Sequence, residues 1–211
     1  MVKISFLGSC REIGRSSILV ESKNGIQCML DYGIAFNNDD RLPYETDINN
    51  LKAIALTHCH IDHIPLAHKF RNAKFLVQQA ELDYHRNPSP APVDPRPCPK
   101  ELLDTLNWEV VNGDYQIEEG LKVLFTPGHT PGGQSVAVDT AKGVAVIDSL
   151  CTTDANWNVP PSLAERMEIL CPGVHSDPVQ AYESLIKVKE MADIRVPIHE
   201  PRFAWIDRIP D

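Results

Sequence analysis

The chain lacks any apolar run approaching the roughly 18 residues that a membrane span requires, so an integral membrane protein is not expected. It lacks a C-x-x-C pair: the six cysteines (Cys10, Cys28, Cys59, Cys98, Cys151, Cys171) are scattered, which excludes a zinc ribbon or a thioredoxin-type motif and leaves reduced thiols. Basic residues are in deficit, 20 Lys and Arg against 29 Asp and Glu, and the formal charge of −9 opposes general attraction to phosphate backbones or anionic lipid. There is no internal repeat and no dividing linker. The opening Met1–Gly8 alternates apolar and polar residues, which fits a first strand better than a signal peptide, so a cytoplasmic protein is expected.

What is present is a chain of 211 residues, 43% hydrophobic and 23% charged, enough for one domain, 1–211, with its own core. Short strands are predicted at 2–7, 17–21 and 26–31, with Asn24-Gly25 as a hairpin turn, and a doubly buried strand at 53–57. A helix follows at 78–86. Residues 87–99 hold six of the seventeen prolines and must form a loop, either an active-site lid or a passive surface segment. Strands resume at 108–111, 122–126, 134–138 and 143–148, suggesting a second sheet. Ser162-Leu-Ala-Glu165 reads as a capping box, and Asp177-Pro178 as the start of a helix running toward Met191, ahead of a last strand at 194–197.

The densest chemistry is Thr57-His58-Cys59-His60-Ile61-Asp62-His63, at the end of the buried strand. In extended chain, residues two apart face the same way, so His58 and His60 can bind one ion together, and a turn after His60 sends Asp62 and His63 toward a neighbouring position. Imidazole and carboxylate donors suit Zn²⁺, with Fe²⁺ and Mn²⁺ as alternatives.

His58, His60, Asp62 and His63 match H-x-H-x-D-H without a gap, and the chain thereby resembles the metallo-β-lactamase superfamily. Phe125–Ser135 around His129, Val146-Ile-Asp148 and Val196-Pro-Ile-His199 resemble the later motifs of that family, in the same order. The resemblance implies a four-layer αββα sandwich, with two divalent metal ions held at one edge. His58, His60 and His129 would bind the first, Asp62, His63 and His199 the second, with Asp148 bridging them. Asp31, in Leu30-Asp31-Tyr32-Gly33, matches a position that braces the metal-binding loop without being a ligand. His68, His85 and His175 match no motif position and are expected to be ordinary surface or helix residues.

The family's chemistry would be hydrolysis by a hydroxide bridging the two ions, with Asp62 orienting it and passing a proton to the leaving group. Such a centre keeps about one positive charge, which favours an oxyanion over the neutral ground state. The motif style looks most like N-acyl homoserine lactone lactonases and glyoxalase II type thioesterases, which makes a small ester, lactone or thioester the expected substrate. Those lactonases carry a tyrosine three residues after the bridging aspartate, where this chain has Cys151. Gly8–Val20 and Leu30–Gly33 resemble instead the opening of the β-CASP ribonucleases, so a phosphodiesterase is the alternative, although only two predicted helices fit between Asp148 and His199, where those nucleases insert a domain. A redox or catalytically silent metal-binding module is the third reading.

Overall fold

A computed structural model describes residues 2–9, 14–35, 42–48, 50–88, 98–205 and 209. The first sheet holds β1 (Lys3–Phe6), β2 (Ile18–Glu21), β3 (Gln27–Leu30), β4 (Leu51–Ala55), β5 (Phe75–Gln78) and β6 (Trp108–Val111), in that spatial order. The second holds β7 (Tyr115–Glu118), β8 (Leu121–Phe125), β9 (Gln134–Thr140), β10 (Gly143–Asp148) and β11 (Ile194–Pro197), ordered 11-10-9-8-7. The helices are α1 (Gln79–Arg86), α2 (Lys100–Leu103), α3 (Asp154–Trp157), α4 (Pro161–Ala164) and α5 (Pro178–Met191).

The layering follows from side chains that alternate across each strand. Ile18 and Val20, Cys28 and Leu30, and Ala53 and Ala55 face the second sheet, where they meet Leu121 and Val123, Val136 and Val138, and Ala145 and Ile147 in one core. The intervening Leu19, Met29 and Ile54 face the other way and pack with Leu82 of α1 and Leu103 of α2. On the far side, Leu124, Ala137 and Val146 pack against Val188 of α5. Helix, sheet, sheet, helix is therefore the order of layers, as the resemblance implies.

α5 buries Ala181, Ser184, Leu185 and Val188, one stripe at helical spacing. Its start is the predicted one: the Asp177 carboxylate accepts from the N–H groups of Val179 (2.9 Å) and Gln180 (3.0 Å), and Pro178 takes the first helical position. Leu185→Ala is expected to cost about 2–5 kcal/mol, the usual range for emptying a core leucine site, measured by urea unfolding.

Elsewhere the structure departs from the pattern of the sequence. The capping box predicted at Ser162–Glu165 does not form, because Pro160 and Pro161 start α4 earlier and no side chain caps it. Asn156 instead accepts from the Thr153 N–H (2.9 Å) at the start of α3. β6, expected with the later strands, belongs to the first sheet and pairs parallel with β5, the usual result of a strand-helix-strand crossover. β5 and β7 were not predicted at all: Phe75–Gln78 merges with the following helix, and Tyr115–Glu118 is an edge strand with little alternation. Of the proline-rich 87–99 loop, residues 89–97 lie outside the described residues, as do Cys10 and residues 11–13 of the β-CASP-like segment. Among the described residues, no helix is long and apolar enough to cross a membrane.

Strand direction decides where chemistry can gather. β3 and β4 run parallel. In the second sheet, β8 and β10 each pair antiparallel with β9, and β11 runs parallel to β10, so β8, β10 and β11 share one direction. Asp31 follows β3, His58 follows β4, His129 follows β8, Asp148 ends β10 and His199 follows β11. Fully buried Gln134, at the start of β9, joins the sheets at this edge: its amide donates to the carbonyls of Leu56 (2.8 Å) and Leu76 (2.9 Å), and its backbone N–H donates to Thr57 (3.0 Å).

Candidate metal centre

After β4 the chain bends at Thr57, passes through His58 and His60 and then turns, with the His63 N–H donating to the His60 carbonyl at 2.9 Å. The His58 ring consequently lies 4.4 Å from His60 and 3.8 Å from His63, centroid to centroid. The fourth imidazole arrives from the other sheet. His129 sits 4.6 Å from His58 and 4.9 Å from His60, and the ligating nitrogens of His58, His60 and His129 all lie within 4.8 Å of one another.

α5 fixes the loop that carries His129. Gly128 has φ of 129°, and a Cβ there would lie 2.2 Å from the Ala181 nitrogen, so only glycine lets the loop seat on the helix. The Ser184 hydroxyl donates to the Pro127 carbonyl (2.7 Å), and the Ser176 N–H to that of Gly128 (2.7 Å).

The hydrogen bonds define which nitrogens are left for a ligand. His129 Nδ1 is 2.9 Å from the Val174 carbonyl, which only accepts, so Nδ1 carries the proton and Nε2 presents a lone pair. Thr57 donates its hydroxyl proton to Asp31 (2.7 Å) and therefore accepts from His58 Nδ1 (3.0 Å), which leaves His58 Nε2 bare as well. The two bare nitrogens face each other 3.2 Å apart. Two nitrogens each 2.0–2.1 Å from a tetrahedral Zn²⁺ stand about 3.3 Å apart, so the pair fits a shared cation. A proton is a poor substitute: burial, then the neighbouring imidazoles, hold His58 well below the usual histidine range, and burial, then His60, hold His129 down to about 4.

Asp31 is hydrogen-bonded to both ends of this histidine loop. Fully buried, it accepts from the Thr57 N–H (2.7 Å), the Ser16 hydroxyl (3.0 Å) and His63 Nδ1 (2.6 Å). His63 Nε2 is thereby turned toward Asp62, whose Oδ2 is 3.6 Å away. Burial alone would lower the His63 pKa, but Asp31 and then Asp62 more than offset it, and the net shift is upward. The His199 ring lies 6.4 Å from His63, just past the end of β11, the strand beside the one that ends at Asp148. All seven residues named from the sequence thus fall at one edge of the sandwich.

Asp148 is wholly buried. Thr152 supplies one hydroxyl to both carboxylate oxygens (2.7 and 2.8 Å), and the Leu150 N–H reaches Oδ1 (3.2 Å), yet burial still lifts its pKa to about 7. Metal-free protein therefore holds protons on Asp148, below about pH 7, and on His63 that a cation must displace, whereas His58 and His129 are already neutral. Zinc affinity is expected to climb as pH rises toward 7 and then to flatten on Asp148's account, with proton release at pH 6 exceeding that at pH 8. Calorimetry in buffers of different ionisation enthalpy reads this directly, and Asp148→Asn should shrink the step without abolishing it, because His63, whose pKa is also raised, still has a proton to release.

Cys151, the position where lactonases carry tyrosine, is half-buried with φ of 59°. Burial, then Asp62 and Asp148, push its thiol up to about 11, which keeps it a neutral thiol rather than a nucleophile in the metal-free protein. His68 is exposed and His175 half-buried, each bonded to a nearby carbonyl. His85 lies in helix α1, but it is no surface residue: it is buried, bonds Glu81 (3.0 Å) and lies 6.0 Å from the His60 ring. Sequence reasoning missed Glu81 and Gln134 too; the one available signal was the Glu81/His85 spacing of four on a helix.

A two-sheet sandwich with imidazoles and carboxylates drawn to the C-terminal edge of its strands defines a class of metal-centre folds. A family model of the metallo-beta-lactamase superfamily matches residues 16–195, and the chain belongs to that superfamily. N-acyl homoserine lactonase AiiA of Bacillus thuringiensis subsp. kurstaki is 32% identical over 159 residues, 75% of this chain and 57% of the relative, so the chain matches little more than half of that protein's length. Transcription termination factor FttA of Lokiarchaeum is 28% identical over 169 residues, 67% of this chain and 26% of that protein. The crystal structure of a B. thuringiensis AiiA mutant with N-decanoyl-L-homoserine bound at the active site superposes with a TM-score of 0.69 at 21% identity, covering 96% of this chain and 95% of the other.

Proposed function

We propose that this chain is a dinuclear metal-dependent hydrolase acting on a small ester, lactone or thioester, with acyl homoserine lactones the first class to test. The observation that carries the reading is the pair of bare, buried Nε2 atoms 3.2 Å apart on His58 and His129, a spacing suited to a cation. His58, His60 and His129 would hold one ion, Asp62, His63 and His199 the other, and Asp148 both. Five nitrogens and two carboxylates suit zinc first, with iron or manganese as alternatives. When bound, such ions supply hydroxide at neutral pH and stabilise negative charge on an attacked carbonyl.

The chain's own residues do the rest. Asp31 and Thr57 lock the tautomers of His58 and His63. Asp62, only 6% exposed, would orient the attacking water and return its proton to the leaving group. The identity to several Bacillus lactonases supports the lactone class, and the net charge of −9 opposes a polyanionic substrate. Five free thiols among the described residues fit a reducing compartment such as the cytoplasm.

Metal-quantified protein assayed against acyl homoserine lactones, S-acyl glutathione, bis(p-nitrophenyl) phosphate and a short RNA tests the proposal. Turnover of an acyl compound is the expected result. Cleavage of the phosphodiester or RNA alone would replace it with the phosphodiesterase reading.

A further inference from the structure

Among the described residues outside the seven, one more cluster of donors is buried together: Cys59, Glu81 and His85, with ligating atoms all within 4.8 Å of one another. Glu81 is already saturated. Its Oε1 accepts from the Cys59 N–H (2.7 Å) and His85 Nε2 (3.0 Å), and its Oε2 from the Thr130 hydroxyl (2.6 Å) and the Gly132 N–H (3.1 Å). A third cation would have to break these bonds and strand their donors without water, which disfavours a metal there.

The two loops that these bonds join carry the better explanation. Cys59 stands between His58 and His60, and Thr130 directly follows His129. One carboxylate in the first turn of α1 therefore grips the backbone on either side of the bare nitrogen pair. The grip is close: a Cβ on residue 132 would lie 2.2 Å from the Glu81 nitrogen, so glycine is required for the His129 loop to rest on the helix.

The geometry points to Glu81 as the positioning residue of the first metal site, a carboxylate that does not touch the ion but sets the spacing between His58 and His60 on one loop and His129 on the other. It rests on the reading of those three histidines as ligands. Asp31 holds His63 directly and His58 through Thr57; Glu81 holds the opposite side. All four Glu81 partners donate here, so the acceptor-only carboxylate is the group required. In a glutamine, the amide N–H₂ would face donors on one side.

The test uses the full-length protein and the Glu81→Gln variant, with cobalt(II) absorption spectra and zinc competition against a chelator of known affinity. Glu81→Gln should still fold, bind its first ion about 10–100-fold more weakly, and show altered cobalt bands. Thr130→Val should shift both readouts the same way by less, and Thr130→Ser should restore them. If Glu81→Gln does not fold, the Thr130 pair decides. Wild-type affinity and spectra in Glu81→Gln and Thr130→Val, with wild type binding metal normally, would overturn Glu81's role alone. A wild-type chain that binds neither cobalt nor zinc would overturn the ligand reading itself, and this proposal with it.

Discussion

Asp62→Asn is expected to lower kcat by about 10²–10⁴-fold, the range of general acid–base catalysis, while much of the bound metal is retained. Asparagine keeps the shape of the side chain and one carbonyl oxygen. It loses the charge and the basicity, so it can neither hold a proton taken from water nor deliver one to a leaving group. The site is otherwise little disturbed, because Asp62 Oδ2 stands 3.6 Å from His63 Nε2, and His63 is separately held by Asp31 at 2.6 Å. Metal content and single-turnover rates measured on the same preparation separate the two effects. A variant that loses metal and rate in parallel would reduce Asp62 to a ligand, and one with wild-type kcat would remove it from the reaction.

His129→Ala should strike the other half of the site. It removes one of the two nitrogens facing each other across 3.2 Å, and the only imidazole of the first set that comes from the second sheet. Losing a direct ligand should exceed the ~10–100-fold that losing an outer partner costs, so affinity at the first position should fall by more than about 100-fold and the metal content toward one ion per chain. The carbonyl of exposed Val174 also loses its 2.9 Å donor, at a cost of about 0.5–1.5 kcal/mol because water can take the donor's place. Elemental analysis after dialysis against micromolar zinc reads the first effect, and metal-free thermal unfolding the second.

How much of this was legible in the chain differs from residue to residue. His58, His60, Asp62 and His63 declared themselves because four donors within six residues have no packing explanation, and extended chain puts the first two on one side. His129, Asp148 and His199 became legible only through motif order, since the contacts that collect them depend on shared strand direction, which local pattern does not encode. Asp31 was legible by position, but its bonds to Ser16, Thr57 and His63 were not. Glu81 and His85 were invisible for a different reason. An acid in the first turn of a helix and a histidine in its last are common on solvated surfaces, and only the seating of the His129 loop on α1 buries them. The fold divides in the same way. The α5 cap was readable because Asp177-Pro178 is a local signal, whereas β5 was lost because four apolar-rich residues running into a helix have no period of their own.

The central claim is that these seven side chains hold a pair of cations, and metal stoichiometry tests it most directly. Purified protein loaded with zinc, dialysed and analysed by inductively coupled plasma spectrometry should carry about two ions per chain, with tetrahedral-type nitrogen and oxygen distances near 2.0–2.1 Å by X-ray absorption. Protein that keeps no zinc under those conditions, or keeps as much in His58→Ala and His129→Ala as in wild type, would contradict it.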